Sequence, residues 1–417
     1  MVITVFGLGF VGLTTAVSFA DQGVVVYGLE VNEERRRLIA SGELPFHEPG
    51  LDEALERTLN KTFFVDVAPD EAVSKSDCVY YCVGTPYGED GRADLTYLYE
   101  AIDQTLPALD EDGFTVLVTK STVPPSTTKE LVASHIEKRG YAIGERIGIA
   151  NNPEFLREGH CWEDVTKADR IVLGVSDEKS EAVLRELYAG FSCPVHTVSL
   201  NTGEYVKYLS NTLLATLISW SNEMSLIADA IGDIQVAEAF KILHEDKRWG
   251  DPRCSMTSYA YPGCGYGGYC LPKDTNALYA RAKAKGYEPR MLGQTIAVND
   301  SMPAAVAKRV EAVASTDARI GVCGLSFKPG SDDTRDSPAA KIIAALLADG
   351  YTRISGYDPL AVPEFKQYYA FDMDYADTLE GLISASDILL IATAWPEFSS
   401  LPEKAVGKPI VDARYML

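Results

Sequence analysis

At 417 residues the chain exceeds what one hydrophobic core normally serves, so two or three domains are expected. A formal charge of -22 excludes a nucleic-acid binder, which needs a basic surface, and means that any anionic ligand must be met by a local basic pocket. Hydrophobic residues at 46% and charged residues at 24% are ordinary for a soluble globular protein, and no apolar run reaches the length of a membrane span.

The first residues read as a strand and not as a signal peptide. Residues 2–6, Val-Ile-Thr-Val-Phe, form a short apolar run rich in β-branched residues. Gly7-Leu8-Gly9-Phe10-Val11-Gly12 follows at once, and an apolar helical pattern continues through Ala20. A second apolar run over 24–29 ends in Glu30. Strand, glycine turn, helix, strand and acid form the context in which G-x-G-x-x-G is a dinucleotide-binding fingerprint. Gly7 makes the tight turn, Gly9 admits a pyrophosphate to the backbone, and Gly12 lets helix and strand pack closely. Glu30 is placed to bind the adenosine ribose hydroxyls and to repel a 2′-phosphate, which favours NAD over NADP. Arg35 lies close by, either lining an adenine pocket or opposing that preference.

Further parallel strands are expected at 78–83, 115–120 and 146–150. Gly84-Thr85-Pro86 and Ser121-Thr122-Val123-Pro124-Pro125 follow the first two, where ligand groups belong in such a sheet. Asn151-Asn152-Pro153-Glu154-Phe155-Leu156-Arg157-Glu158-Gly159 follows the third, as a ligand loop or as a solvated cap of the next helix. A strand at 171–174 and a helix around 177–190 are expected to close the first domain.

From 201 to 247 the pattern is helical for longer than any earlier segment. Glu204, Lys207 and Asn211 share one face at i, i+3 and i+7. The apolar residues around them (Val206, Leu209, Leu213, Leu214, Leu217, Ile218) read as a buried central helix. A lysine and an asparagine on a buried face are costly unless paired or functional, and surface exposure is the alternative. Next comes Gly263-Cys264-Gly265-Tyr266-Gly267-Gly268-Tyr269-Cys270-Leu271-Pro272-Lys273-Asp274, with four glycines in six positions. A helix starting near Pro272 would hold Cys270 at its positive end, where the dipole and Lys273 favour the thiolate, with Asp274 as base or electrostatic partner. The cluster therefore reads as a nucleophilic thiol, against a glycine-rich turn around a structural cysteine. The eight cysteines show no zinc-ligand spacing and are too sparse for a disulfide scaffold, so reduced thiols in a cytoplasmic, metal-free enzyme are expected.

A helix over 289–313 is followed by strand-like runs at 319–325, 354–359 and 387–393, with an apolar helix at 339–348. The fold class is therefore α/β: two Rossmann-like domains with parallel sheets joined by a long central helix, divided at 1–200, 201–300 and 301–417.

Six ordered motifs then resemble the UDP-glucose/GDP-mannose dehydrogenase family over essentially the whole chain. They are GLGFVG near the start, KSTVPP at 120–125, NPEFLREG at 152–159, EYVKYLSN at 204–211, GYGGYCLPKD at 265–274 and GLSFKPGSDDTRDSP at 324–338. The resemblance implies two successive NAD-dependent oxidations of a sugar C6 alcohol to the carboxylate, through a thiohemiacetal and a thioester on Cys270. It looks most like the enzymes acting on UDP-glucose, with GDP-mannose or a UDP-N-acetylhexosamine as the alternative substrate. It makes Lys207 and Asn211 oxyanion-stabilising residues, and Asp274, Thr122 and Glu158 the proton-handling set. Glu154, Phe155, Leu156, Arg157, Lys207, Arg248, Tyr259, Gly267 and Lys328 match substrate positions. Gly7, Gly9, Phe10, Val11, Gly12, Glu30, Arg35, Thr85, Thr122, Lys273 and Arg335 match cofactor positions. Glu30 stands where the family usually has aspartate, and the stretch from Arg248 to Tyr259 is longer than in compact members. The resemblance also implies a homodimer built on the central helix, Arg248 reaching the partner's substrate, and a product feeding polysaccharide biosynthesis.

Overall fold

The apolar run 2–6 is a strand whose side chains face two cores at once: Ile3 and Val5 pack in one cluster, Phe6 in another. In the computed structural model, which describes residues 1–88, 92–157, 159–246, 249 and 255–417, the chain divides into units Met1–Ser210 and Asn211–Leu417. The first holds β1 (Val2–Phe6), β2 (Val25–Leu29), β3 (Phe63–Phe64), β4 (Cys78–Tyr81), β5 (Thr115–Thr119), β6 (Ile147–Asn151), β7 (Ile171–Val175) and β8 (Val195–Ser199). They form one sheet in the order β3-β2-β1-β4-β5-β6-β7-β8. Strand order reverses between β1 and β4, which opens a crevice at their carboxyl ends. Tyr80 and Val118 pack on the face of Ile3 and Val5, and Tyr81 and Leu117 on the other, so the parallel strands are apolar throughout.

Two features depart from the sequence reading. β7 meets β6 antiparallel, pairing Val175 with Ala150 and Gly174 with Asn151. The unit does not end with the helix Glu178–Leu187 but continues into β8, an edge strand parallel to β7. Val-His-Thr-Val-Ser covers no full core face, so it carries little apolar signal.

The second unit repeats the winding with β9 (Ile320–Cys323), β10 (Ile354–Tyr357), β11 (Asp374–Tyr375), β12 (Ile388–Ile391) and β13 (Ile410–Asp412). All pairings are parallel, in the order β11-β10-β9-β12-β13. Val322 and Leu390 pack on one face, Cys323 and Leu389 on the other. β11 and β13 are too short to stand out in the sequence.

The central helix, Leu200–Ile231, starts directly from β8 and runs 32 residues. Its amphipathicity is inverted. Glu204, Lys207, Asn211, Ser219, Ser221, Asn222 and Ser225 are buried, whereas Tyr205, Leu209, Leu213, Trp220, Ile227 and Ile231 are exposed. The expectation that Leu209 and Leu213 are buried is therefore corrected: they are 51% and 52% exposed. Among the described residues, no helix is long and apolar enough to cross a membrane.

The helix Phe10–Asp21 packs so closely that a methyl group at Gly12 would overlap the carbonyl oxygen of Gly7. Gly12→Ala is expected to cost about 1–3 kcal/mol through this overpacking. Chemical denaturation of the full chain measures it; unchanged stability would show that the turn can open without cost.

Candidate active site

At the carboxyl end of β1, Gly7 takes φ +85, and a methyl group at Gly9 would meet nothing within 4 Å. The backbone at the start of the following helix thus faces open space, which suits a pyrophosphate at a helix N-terminus. The Phe10 ring lies 4.1 Å from that of Phe46 and is tilted to it by 32°, while Val11 is half-buried in the first turn. Glu30 is held in place by backbone amides: Leu8 N–H donates to Oε2 (2.9 Å) and Asn32 N–H to Oε1 (2.8 Å). Arg35 Nη1 lies 3.3 Å from Glu30 Oε2. Its charge is thus already engaged by the carboxylate that faces the ribose position in this fold. Thr85 Oγ1 donates to Thr122 O (2.9 Å), tying together the turns after β4 and β5. These residues fit a dinucleotide.

Past β5 and β6, the loops meet the first turns of the central helix. Lys207 Nζ is 2.8 Å from Glu154 Oε1, both side chains buried. Burial alone would raise the Glu154 carboxyl, but the Lys207 charge and hydrogen bond and the Leu156 amide hold it below its ordinary value. Phe155 lies under Arg170 (4.2 Å) and Lys207 (5.9 Å). Arg157 is drawn off to Asp164 in a two-pronged pair. Glu158 lies outside the described residues.

Two residues here carry more weight than the sequence reading gave them. Lys120 is buried, donating to Asn152 Oδ1 (2.7 Å), and burial pushes it down to about 8 against the opposing pull of Cys82 and Glu154. Glu204 Oε1 accepts the Thr128 N–H (2.8 Å), and burial pushes its carboxyl up to about 7 despite the backbone amides around it. Glu204 was visible as a face-mate of Lys207, and Lys120 opens the KSTVPP motif.

In the second unit, the helix Cys270–Ala284 begins two residues before Pro272, so Cys270 occupies its first position and is exposed. The next turn is a buried polar network. Lys273 Nζ is 2.5 Å from Asp274 Oδ1, and Asn211 Nδ2 donates to Asp274 Oδ2 (2.6 Å). Burial works to lower Lys273, but Asp274, with Cys270 and Tyr269 in support, holds it above its ordinary value. Arg335 lies over the Tyr269 ring at 4.7 Å and forks onto Asp333.

The glycine loop before Cys270 is a packing element. A methyl group at Gly267 would overlap the Asp336 carbonyl oxygen, and Gly268 N–H donates to Arg335 O (3.0 Å). Phe327, beneath the Lys328 ammonium (5.4 Å), fills the space beside Gly268. Asn222 Oδ1 accepts the Gly263 N–H and Asn299 Oδ1 that of Tyr266, each at 2.7 Å; neither asparagine stood out in the sequence. Tyr259 lies just past the turn Ser255–Ser258, its amide on Met256 O. Arg248 lies outside the described residues.

Three protein-family models match in order: the NAD binding domain, central domain and UDP binding domain of the UDP-glucose/GDP-mannose dehydrogenase family, over residues 1–192, 201–301 and 321–417. The chain belongs to that family. Its cofactor is NAD, in keeping with the glycine turn and Glu30. Among the relatives of this dehydrogenase is a UDP-glucose 6-dehydrogenase of Haloferax volcanii, 35% identical over 97% of this chain and 94% of the relative. A UDP-glucose dehydrogenase structure from Pyrobaculum islandicum superposes with a TM-score of 0.91 at 35% identity, covering 99% and 94% of the two chains. A UDP-D-ManNAc dehydrogenase structure from Pyrococcus horikoshii gives 0.85 at 28% identity, covering 100% and 96%.

The Glu204 carboxyl yields a stability prediction for this family member. Its pKa is raised from 4.5 to about 7, so the stability tied to its protonated form is complete below 4.5 and is lost as pH rises through 7. Glu204→Gln removes the cost of the buried charge and is expected to stabilise the protein at pH 8 by up to about 3 kcal/mol, at 1.36 kcal/mol per pKa unit, with little effect at pH 4.5. Urea melts at the two pH values test this; equal effects at both would show that Glu204 is not charged up by that rise.

Proposed function

We propose that this dehydrogenase oxidises UDP-glucose twice at C6, to UDP-glucuronate, through a covalent adduct on Cys270. The observation that carries this reading is the exposed thiol on the first residue of a helix, one turn from the buried Lys273–Asp274–Asn211 network. Residues 1–200 would bind NAD, 201–300 supply the cysteine loop and the subunit contact, and 301–417 bind the nucleotide.

NAD, when bound, accepts one hydride from C6 at each oxidation. Lys207 takes the O6 proton in the first, and an aldehyde results. The Cys270 thiolate adds to the aldehyde carbon, forming a C–S bond and a thiohemiacetal whose oxyanion is steadied by Lys207 and Asn211. Loss of the second hydride leaves a thioester. Water then adds to its carbonyl carbon, the C–S bond breaks, and the thiolate departs as the carboxylate forms. Asp274, with Thr122 and Glu158 through water, receives the water's protons. The balance is one water consumed, with two hydrides and three protons released. Glu154, Phe155, Leu156 and Arg157 would position the sugar, with Tyr259, Gly267 and Lys328 as further substrate contacts and Arg248 reaching in from a partner subunit. Thr85, Lys273 and Arg335 would serve the cofactor.

The likeness to a UDP-D-ManNAc dehydrogenase structure favours a second reading, in which a UDP-N-acetylhexosamine is the substrate; GDP-mannose is the third sugar nucleotide to compare. Turnover with the three alongside UDP-glucose separates these readings, because the chemistry at C6 is common to all.

We further propose a homodimer seated on the central helix. At 100° per residue, Tyr205, Leu209, Leu213, Trp220, Ile227 and Ile231 fall within an arc of about 80°. They are all exposed, so the single chain leaves uncovered a largely apolar stripe along much of the helix, interrupted by the exposed Thr202 and Glu223. A second copy presents the same stripe, and a two-fold pairing covers both.

UDP-glucose is expected to yield two NADH per molecule consumed. Cys270→Ser should abolish the net four-electron reaction while NAD and UDP-glucose binding persist. Near-wild-type steady-state activity in that variant would end the covalent mechanism, and one NADH per substrate would end the two-step reading.

Sedimentation at micromolar concentration should show a dimer, and Leu213→Glu should weaken it at least about tenfold, since burying a leucine is worth roughly 1.5–3 kcal/mol and each copy carries the change. A wild-type chain that is active and purely monomeric would refute the pairing.

A further inference from the structure

β7 runs against β6, so its first residues, and not its last, lie where the loop 152–157 leaves the sheet. The ladder between the two strands stops at Asn151 and Gly174, and Pro153 has no N–H with which to continue it. Side chains tether the loop from there on. Asn152 Nδ2 donates to Val172 O (2.8 Å), and its Oδ1 accepts Lys120 Nζ (2.7 Å) and the Tyr188 hydroxyl. Further out, Arg170, the residue before β7, sets its guanidinium 4.2 Å from the centre of the Phe155 ring.

Arg170 is half-buried and forms no ion pair or hydrogen bond with any described residue, although the chain has 60 acidic residues to 38 basic ones. Arginine carries five donors that ordinarily go to carboxylates and carbonyls. This guanidinium is given to one aromatic ring instead. The same ring is approached by Lys207, whose Nζ lies 5.9 Å from its centre and 2.8 Å from Glu154 Oε1. Glu154 Oε2 in turn accepts the Leu156 N–H (2.7 Å), so the carboxylate reaches over Phe155 to the next amide. Whatever holds the Phe155 ring therefore also holds the Glu154–Lys207 pair.

Resting on the proposed reaction, we infer that Arg170 is a positioning residue, which pins Phe155 and so keeps Glu154 and Lys207 in register for the sugar. A cation over a ring is attracted by the negative face of the ring, and more strongly when both are partly out of water. Asn152 fixes the near end of the loop and Arg170 the far end, with Glu154 between them. The antiparallel turn of β7 is what makes this possible. A seventh strand running with the others would carry its last residue, and not Arg170, to that end of the sheet.

Two variants separate the charge from the packing. Arg170→Met keeps the apolar stem without the charge, and Arg170→Lys keeps a cation within reach of the ring. In the ligand-free protein, the Leu156 amide should exchange its hydrogen at least about tenfold faster in Arg170→Met and near the wild-type rate in Arg170→Lys. With UDP-glucose and NAD, Arg170→Met should raise the KM for the sugar nucleotide about tenfold and leave that for NAD within about twofold. Arg170→Lys should recover most of the loss, whereas a general loosening of the unit would move both KM values and would not depend on charge. Wild-type exchange at Leu156 or an unchanged sugar-nucleotide KM in Arg170→Met overturns the inference, as does an Arg170→Lys protein that behaves like Arg170→Met. The exchange measurement uses no substrate, so it decides on Arg170 even if UDP-glucose proves not to be oxidised, an outcome that would sink the proposed function instead.

Discussion

The central helix buries polar side chains, and a buried polar group without a partner costs more than almost any local preference can return. Each of its buried functional groups therefore needs a partner from elsewhere in its unit, and the partners lie in or beside the sequence motifs. Within the first unit, Glu204 caps the segment that follows KSTVPP and Lys207 pairs with Glu154 of NPEFLREG. Within the second, Asn211 holds Asp274 and Asn222 holds the amide of Gly263, at the two ends of the glycine–cysteine segment. Breaking one partner from a buried charged pair costs roughly 3–5 kcal/mol, so the motif loops are fixed by the same bonds that make the helix tolerable as a buried element.

The same helix explains the outward apolar stripe. A surface helix normally turns its apolar side to the core and its polar side to water. Here much of the inner side is committed to polar groups, so Tyr205, Leu209, Leu213, Trp220, Ile227 and Ile231 are left on the outer one. Polar interior and apolar exterior are thus two consequences of one sequence choice. A lysine and an asparagine, Lys207 and Asn211, are thereby held buried away from bulk water.

Close backbone approach is the second constraint. Helix and strand meet at Gly12, and the cysteine loop meets the segment around Asp336 at Gly267, each at a distance that excludes a side chain. These glycines bring the main chain to where a phosphate or a thiol can be positioned by backbone groups, which cannot swing away as side chains can.

The sequence alone determined the two wound sheets, because buried parallel strands read as dense apolar runs, and it determined the dinucleotide turn, because glycine, spacing and flanking strands occur there together. It also singled out Cys270, Lys207, Asn211 and Asp274, since a thiol, a lysine and their partners on apolar elements have few bland explanations. It set Glu204 beside Lys207 on one helical face but could give it no role. Which of the helix's faces is buried was decided only by the tertiary structure: leucines and polar groups alternate around it, and periodicity cannot say which side meets the core. The pairing of Lys207 with Glu154, the turning of Lys120 onto Asn152 and of Arg157 onto Asp164, and the edge strand β8 were likewise decided there. Each depends on which residues distant in the chain come within 3 Å or so of one another, and no local pattern encodes that.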